Sequence, residues 1–364
     1  MKPNILFLSP VSFFKGGAER SLFDLLANPN ITPILIASEE GPILERGRKE
    51  NIACHTLSFG SIHNIHRPFS FLKGLSAAQD LLKAAKNLKK MAKENNAKIV
   101  HSNGLKAHCI NVMAYRMGGA KAVLHIRDIA YTKAELLVWR ILQRMSYKMV
   151  LVSHACWPEE TLPKNVHVIH NGTPLINDIP ENDSSDIIRF GFIGRIHPAK
   201  GLHLVIDWIA KAREQGLLAS LSVRGTYSED APDYESEIEA QIAKLNLQDH
   251  VTFTGFIDNP IDLYKNIDIT AVPSKTPDPL PRSVMESMAR GIPVFGYPAG
   301  GIFEMIDDKE TGFLVDNADK FIEAIAYINS NENAMNDMTD KAKVKIENEF
   351  SIPNLHQGIT ALYK

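Results

Sequence analysis

The stretch RFGFIGRIHPAKGLHLVIDWI, residues 189–209, decides how this chain is read. An apolar run rich in aromatic and β-branched residues leads through a glycine-containing turn into apolar residues at helical spacing, which predicts a strand, a tight turn and a helix. Arg195 and Lys200 project around the turn. A helix amino terminus offers orphan N–H groups and the positive end of a dipole, so two fixed cations beside it suit a diphosphate. From position alone the two side chains read equally well as solvated turn residues.

Outward from this stretch the same alternation fills both halves. NILFL (4–8), PILIA (33–37), AKIVH (97–101), AVLHI (122–126) and MVLVS (149–153) are the expected strands before residue 180; IIRFGFI, ASLSVR, HVTFTGF, IDITAVP and IPVFGY are those after it. Residues 72–96 carry Leu75, Leu81, Leu82, Leu88 and Met91 at mostly helical spacing, so a long helix is expected there. Strands alternating with helices specify a parallel α/β architecture, and the absence of a fixed repeat excludes a solenoid. The pattern fails only in NGTPLINDIPENDSSD (171–186), which reads as a hinge. A length of 364 residues therefore implies two Rossmann-like, doubly wound domains, over 1–175 and 185–349. Open α/β sheets bind ligands outside the carboxyl ends of their strands, so the site is expected in an interdomain cleft.

Composition removes other classes. With 45% hydrophobic and 23% charged residues the chain is neither disordered nor fibrous. Cys54, Cys109 and Cys156 are well separated and supply neither a disulfide framework nor a four-ligand zinc site, which fits a reducing compartment. Pro10, Ser9 and Ser12 interrupt the first apolar run, so it reads as a buried strand and not a signal peptide, and no run is long enough to span a bilayer. A cytoplasmic protein follows as the expectation. The net charge of -2 hides an asymmetry: residues 1–180 hold 23 Lys and Arg against 13 Asp and Glu, and the remainder 17 against 29. In the basic half Lys73, Lys83, Lys86, Lys89, Lys90, Lys93 and Lys98 cluster on or beside the long helix, with Lys83, Lys86, Lys90 and Lys93 on one face. A solvated face explains this by default; docking on an anionic membrane surface is the alternative, and no nucleic-acid partner is expected.

Two further segments carry chemistry. SFFKGGAERSLFDLL (12–26) repeats the strand, glycine turn and helix, with Gly16 and Gly17 permitting close backbone approach and Glu19 in the first turn, but without dinucleotide spacing. VPSKTPDPLPRSVMESMARGIPVFGYPAGG (272–301) holds a strand end, a proline-rich loop and a helix opening near Arg282. Asp278 on the loop and Glu286 in the helix can both face one ligand, and carboxylates suit the vicinal hydroxyls of a sugar. By spacing alone Glu286 is the better read as a capping or surface-pair residue. His101, His125 and His170 each read as sitting at a strand end, where a satisfied core or supporting histidine is commoner than a catalytic one. No Asp-x-Asp or His/Cys cluster has metal-ligand spacing.

Together GGAERS, VHSNG (100–104), VLHIRD (123–128), IHNG (169–172), FIGRIHPAKG (192–201), FTGF (253–256), the Asp-x7-Glu segment and TGFLV (311–315) resemble the retaining glycosyltransferases of the GT-B fold, family four. The resemblance covers nearly the whole chain. It implies two domains facing a cleft, with residues 350–364 crossing back to the first, and a hexosyltransferase acting on a UDP- or GDP-sugar without a metal or other cofactor. It implies that Arg195 and Lys200 hold the diphosphate, Glu286 the ribose and Asp278 the donor sugar, with His125 as the active-site histidine. The loop through Leu280, Pro281 and Arg282, with the amides of Gly16 and Gly17, completes the cradle, and Arg224, Phe256 and Ile257 lie where a nucleobase rests. Asp278 is one methylene shorter than the family's Glu, and Pro281 stands where Gly is usual and supplies no N–H, which implies altered donor contacts. The acceptor, a glycan or lipid-linked glycan of surface polysaccharide assembly, is expected on first-domain loops such as SFGSIHNIHRPFSF (58–71). A nucleotide-sugar epimerase and a non-catalytic sugar-binding protein are the rival readings.

Overall fold

The computed structural model describes residues 2–14, 16–64, 71–176, 186–330 and 332–364. The chain divides into two compact units, Met1–Asn171 with Ile352–Lys364, and Gly172–Ser351. Much of the expected hinge, residues 177–185, and of the expected acceptor loop, residues 65–70, lies outside the described residues.

In the first unit seven strands, β1 (Asn4–Ser9), β2 (Thr32–Ala37), β3 (Ala53–Thr56), β4 (Ile99–Asn103), β5 (Lys121–Ile126), β6 (Lys148–Leu151) and β7 (Val166–Val168), form one parallel sheet in the order β3-β2-β1-β4-β5-β6-β7. Ile5, Leu6, Phe7 and Leu8 are all buried because helices cover both faces, and such strands read as continuous apolar runs. The terminal helix Ile352–Tyr363 sets Leu355, Ile359 and Leu362 into the core with Ile5 and Phe7, and Asn28 Nδ2 donates to the His356 carbonyl at 3.3 Å.

In the second unit β8 (Ile188–Ile193), β9 (Ala219–Arg224), β10 (Val251–Gly255), β11 (Ile269–Val272), β12 (Val294–Gly296) and β13 (Phe313–Leu314) run parallel in the order β10-β9-β8-β11-β12-β13. The strand order reverses between β8 and β11, as it does in the first unit between β1 and β4. That reversal opens a crevice at the strand carboxyl ends.

Several expectations shift. Strands β3, β7 and β13 are two to four residues long, and β3 is largely exposed, so no apolar run announced them. The long helix spans Phe71–Glu94, but its buried side is Ala77, Ala84, Ala85, Leu88 and Ala92, while Leu82 is 44% exposed. Alanine joins leucine on the face that packs closely on its neighbour: Leu88 is fully buried and Leu81 and Met91 pack against the same core, so of the expected residues Leu82 departs from it. Lys83, Lys86, Lys90 and Lys93 are exposed, with Lys90 Nζ 3.7 Å from Glu94. His101 lies inside β4 and not at its end.

Candidate functional site

At the β8–β11 crevice Arg195 follows β8 after Gly194, and Lys200 closes the short 3-10 turn Pro198–Lys200 ahead of the helix Leu202–Glu214. Gly201, at φ +75, joins the turn to the helix, and a Cβ there would sit 2.1 Å from the Pro273 carbonyl oxygen, so only glycine lets the turn approach the end of β11. Lys200 Nζ thereby pairs with Asp278 Oδ2, while Arg195 Nη1 lies 3.6 Å from Asp230 Oδ2 and donates to Ser228 Oγ at 3.3 Å. The two cations are brought to one crevice, each held by a carboxylate. Asp230 carried no signal in the sequence, because nothing local ties it to Arg195.

The loop beyond Asp278 differs from the expectation. Asp278 Oδ1 accepts from the Leu280 N–H at 3.2 Å, an Asx-type turn that uses the amide expected to meet a ligand. Pro279 and Pro281 have no N–H to offer, and Leu280 and Pro281 are buried. This loop therefore aims a carboxylate and spends the Leu280 amide on it. The turn at Gly300 and Gly301 packs on it: the Gly301 N–H donates to the Asp278 carbonyl at 2.8 Å, and a Cβ on Gly300, at φ +61, would lie 2.3 Å from that same oxygen.

Glu286 sits in the helix Arg282–Met288, nearly buried. Its Oε1 accepts from Arg282 Nε at 3.0 Å, its Oε2 from the Tyr264 hydroxyl at 3.0 Å, and Arg290 Nη1 donates to its backbone carbonyl at 2.7 Å. Each carboxylate oxygen keeps a second lone pair for a ligand hydroxyl. Burial and the adjacent Glu286 carboxylate push the Tyr264 hydroxyl well above its ordinary pKa, so it stays protonated as a donor. Arg282, Glu286 and Arg290 repeat at i, i+4, which the sequence displays; Tyr264 it does not. Arg224 donates to the carbonyls of Asp262, Leu263 and Lys265 at 2.7 to 2.9 Å and to Ser222 Oγ at 3.0 Å, holding the segment that delivers Tyr264. Phe256 is 58% exposed beside the half-buried Ile257.

In the first unit the Gly16 N–H donates to Glu19 Oε2 at 2.7 Å, so one of the two expected cradle amides is capped by the helix's own first-turn carboxylate; Gly17 is exposed. His125 is wholly buried on β5, and its Nδ1 lies 3.0 Å from His101 Nε2. Arg127 joins three of the quoted motifs, donating to Asn103 Oδ1 at 3.2 Å and Asn171 Oδ1 at 2.5 Å. His170 follows β7 in a loop.

Burial first and Arg127 second push the buried histidines down, His101 and His108 to about 3 and His125 well below its ordinary range. All three rings are neutral at pH 7. The unfolded chain takes up protons on such rings as pH falls through about 6.5, whereas the folded chain resists until near 3, so stability is lost on acidification between those values. From His101 and His108 alone, unfolding at pH 5 is expected to cost about 4 kcal/mol less than at pH 7. Urea titrations at the two pH values check this; equal stability would show that the rings are not held neutral.

Among the described residues no group of three or more His, Cys, Asp or Glu is placed to hold a metal ion, and no helix is long and apolar enough to cross a membrane.

Residues 177–345 match the family of glycosyl transferases group 1. The Anabaena protein Alr3699/HepE, solved in complex with UDP, superposes with a TM-score of 0.82 at 22% identity, covering 99% of both chains. The fold is GT-B. Among curated relatives, the putative glycosyltransferase YtcC of Bacillus subtilis is 30% identical over 182 residues, 48% of this chain and 44% of that protein. The UDP-Gal:alpha-D-GlcNAc-diphosphoundecaprenol alpha-1,3-galactosyltransferase of Escherichia coli is 22% identical over 94% of this chain and 91% of its own. The chain spans less than half the length of the first curated relatives it matches. The group 1 match covers the unit that carries Arg195, Lys200, Asp278 and Glu286 of this GT-B chain.

Proposed function

We propose that this chain is a retaining glycosyltransferase that moves a hexose from a UDP- or GDP-sugar to a glycan or lipid-linked acceptor in the assembly of a bacterial surface polysaccharide, such as lipopolysaccharide or capsule. The observation that carries the reading is the pairing of Lys200 with Asp278, 78 residues away, across the crevice of the second sheet. An incoming diphosphate takes Lys200 and Arg195 from their carboxylates, and Asp278 then accepts from the donor sugar's hydroxyls. Glu286, with acceptor capacity to spare, takes the ribose. The bond between the anomeric carbon and the β-phosphate oxygen breaks as negative charge grows on that oxygen, and the two cations stabilise the charge without a metal or other cofactor. The acceptor oxygen bonds to the same face of the anomeric carbon, and its proton passes to the departing nucleoside diphosphate.

The group 1 match and the galactosyltransferase relative support this reading. On this reading the work is done in the cytoplasm, and docking of the exposed Lys83, Lys86, Lys90 and Lys93 on anionic lipid at the inner face of the plasma membrane is the alternative to a solvated helix face. A thermal-shift screen of nucleotides, nucleotide-sugars and free sugars tests the reading, because a ligand that binds only the folded state raises its melting temperature. UDP or GDP is expected to stabilise the protein, and the matching nucleotide-sugar to do so further. Stabilisation by free sugar alone would make it a sugar-binding protein, and donor consumption without an acceptor would make it an epimerase.

A further inference from the structure

We propose that Tyr363, acting through His101, is a positioning residue that holds His125 in the tautomer with its proton on Nε2, leaving a neutral hydrogen-bond donor in the first unit. The proposal deepens the glycosyltransferase reading above, for which the resemblance implies that His125 is the active-site histidine near the donor sugar.

Three groups form one hydrogen-bonded row. The Tyr363 hydroxyl lies 2.7 Å from His101 Nδ1, and His101 Nε2 lies 3.0 Å from His125 Nδ1. Neutral imidazole has one donor and one acceptor nitrogen, so the direction of the first bond fixes every bond after it. If Tyr363 donates, His101 accepts at Nδ1 and carries its proton on Nε2; that proton is donated to His125 Nδ1, and the second ring must be protonated at Nε2. If the row runs the other way, His125 donates from Nδ1, His101 donates from Nδ1 to the Tyr363 oxygen, and the tyrosine O–H is left over.

Burial decides between them. His101 and His125 are wholly buried, and loss of water around the Tyr363 hydroxyl raises its pKa well above the ordinary range, so the phenol keeps its proton. The reversed row strands that O–H proton and leaves His125 Nε2 a bare lone pair, two unmet groups. The forward row leaves one, the His125 Nε2–H, and Nε2 is the ring nitrogen that has no partner in the structure. Phe7 stacks on His101 with ring centroids 5.2 Å apart and an interplanar angle of 26°, which fixes the plane of the ring that passes the hydrogen bond along. On the glycosyltransferase reading, a donor-sugar atom that meets His125 Nε2 must then be an acceptor, such as a hydroxyl oxygen. Tyr363 comes from the terminal helix, so that helix sets the chemistry of a strand residue more than 200 positions earlier in the chain.

The experiment is long-range ¹H–¹⁵N correlation NMR of the imidazole nitrogens of ¹⁵N-labelled full chain at pH 7. The expected wild-type pattern has both His101 and His125 neutral and protonated at Nε2. Tyr363→Phe keeps the ring and removes the donor, and the Nδ1–H form of His125 is expected to become populated in it. A wild-type His125 protonated at Nδ1, or a Tyr363→Phe spectrum identical to wild type, would overturn the proposal; the wild-type spectrum decides the direction even if the variant fails to fold. These spectra need no nucleotide-sugar, so a chain that proves to transfer no sugar leaves the tautomer result standing. Saturating UDP-glucose is expected to move the His125 Nε2–H proton downfield, and if the protein melts higher with UDP-glucose while that proton stays in place, the donor role is wrong.

Discussion

Arg195→Ala and Lys200→Ala are each expected to lower turnover of the nucleotide-sugar about a hundredfold, because removing a charged group aimed at developing negative charge costs roughly 3 kcal/mol of transition-state stabilisation. Their effects on stability should differ. Arg195 is more than half exposed and its Asp230 contact is long, so its loss should leave the melting temperature nearly unchanged. Lys200 faces an Asp278 side chain that is only 15% exposed, and its removal leaves a mostly buried carboxylate without its cation. The double variant Lys200→Ala with Asp278→Ala should regain part of the lost stability and none of the lost turnover. A double-mutant cycle on melting temperature and on kcat, run in parallel, separates the two. Turnover close to wild type in both single variants would remove these cations from the chemistry and with them the transferase reading.

Glu286→Ala is expected to destabilise the second unit strongly. It removes the acceptor for the Tyr264 hydroxyl and for Arg282 Nε, inside a cluster that also holds Arg290 over the Tyr264 ring at 4.2 Å. Hydrogen bonds to a charged group contribute about 1.5 to 3 kcal/mol each, and the two are not independent, so a loss of about 3 kcal/mol is expected. For a unit of this size that corresponds to a fall of roughly 10 °C in melting temperature. Glu286→Gln should keep one of the two bonds and melt between the alanine variant and wild type, while binding the nucleotide more weakly than wild type. If Glu286→Ala melts with wild type, the cluster contributes nothing to stability and Glu286 is held only for its ligand.

The alternation of strand and helix was legible because strands buried on both faces are continuous apolar runs, as in NILFL and IIRFGFI, and these need no partner to be recognised. The short strands β3, β7 and β13 were not, because each is defined by pairing to a neighbour and not by its own composition. At the candidate site, Arg195, Lys200, Asp278 and Glu286 each stand at a fixed offset from a turn or a helix start, but spacing alone left the two cations as possible turn residues and Glu286 as a capping or surface-pair residue, and their ligand roles came from the resemblance. Tyr264, Asp230 and Arg127 could not be named. Their roles arise from pairings across 22, 35 and 24 to 44 positions that no local pattern encodes.

Local periodicity and turn chemistry thus determined a parallel α/β chain with cations after one strand and carboxylates after another, since those depend on neighbours a few residues apart. Which amides remain to meet a ligand was decided only in three dimensions. Gly16 and Leu280 offer their N–H groups in the sequence, yet Glu19 and Asp278 take them in the fold, because a carboxylate held within hydrogen-bond reach of an amide outcompetes water for it. The direction of the Tyr363, His101 and His125 row was likewise set by the tertiary structure alone. A ring nitrogen becomes donor or acceptor according to what faces it, and what faces it here arrives from the far end of the chain.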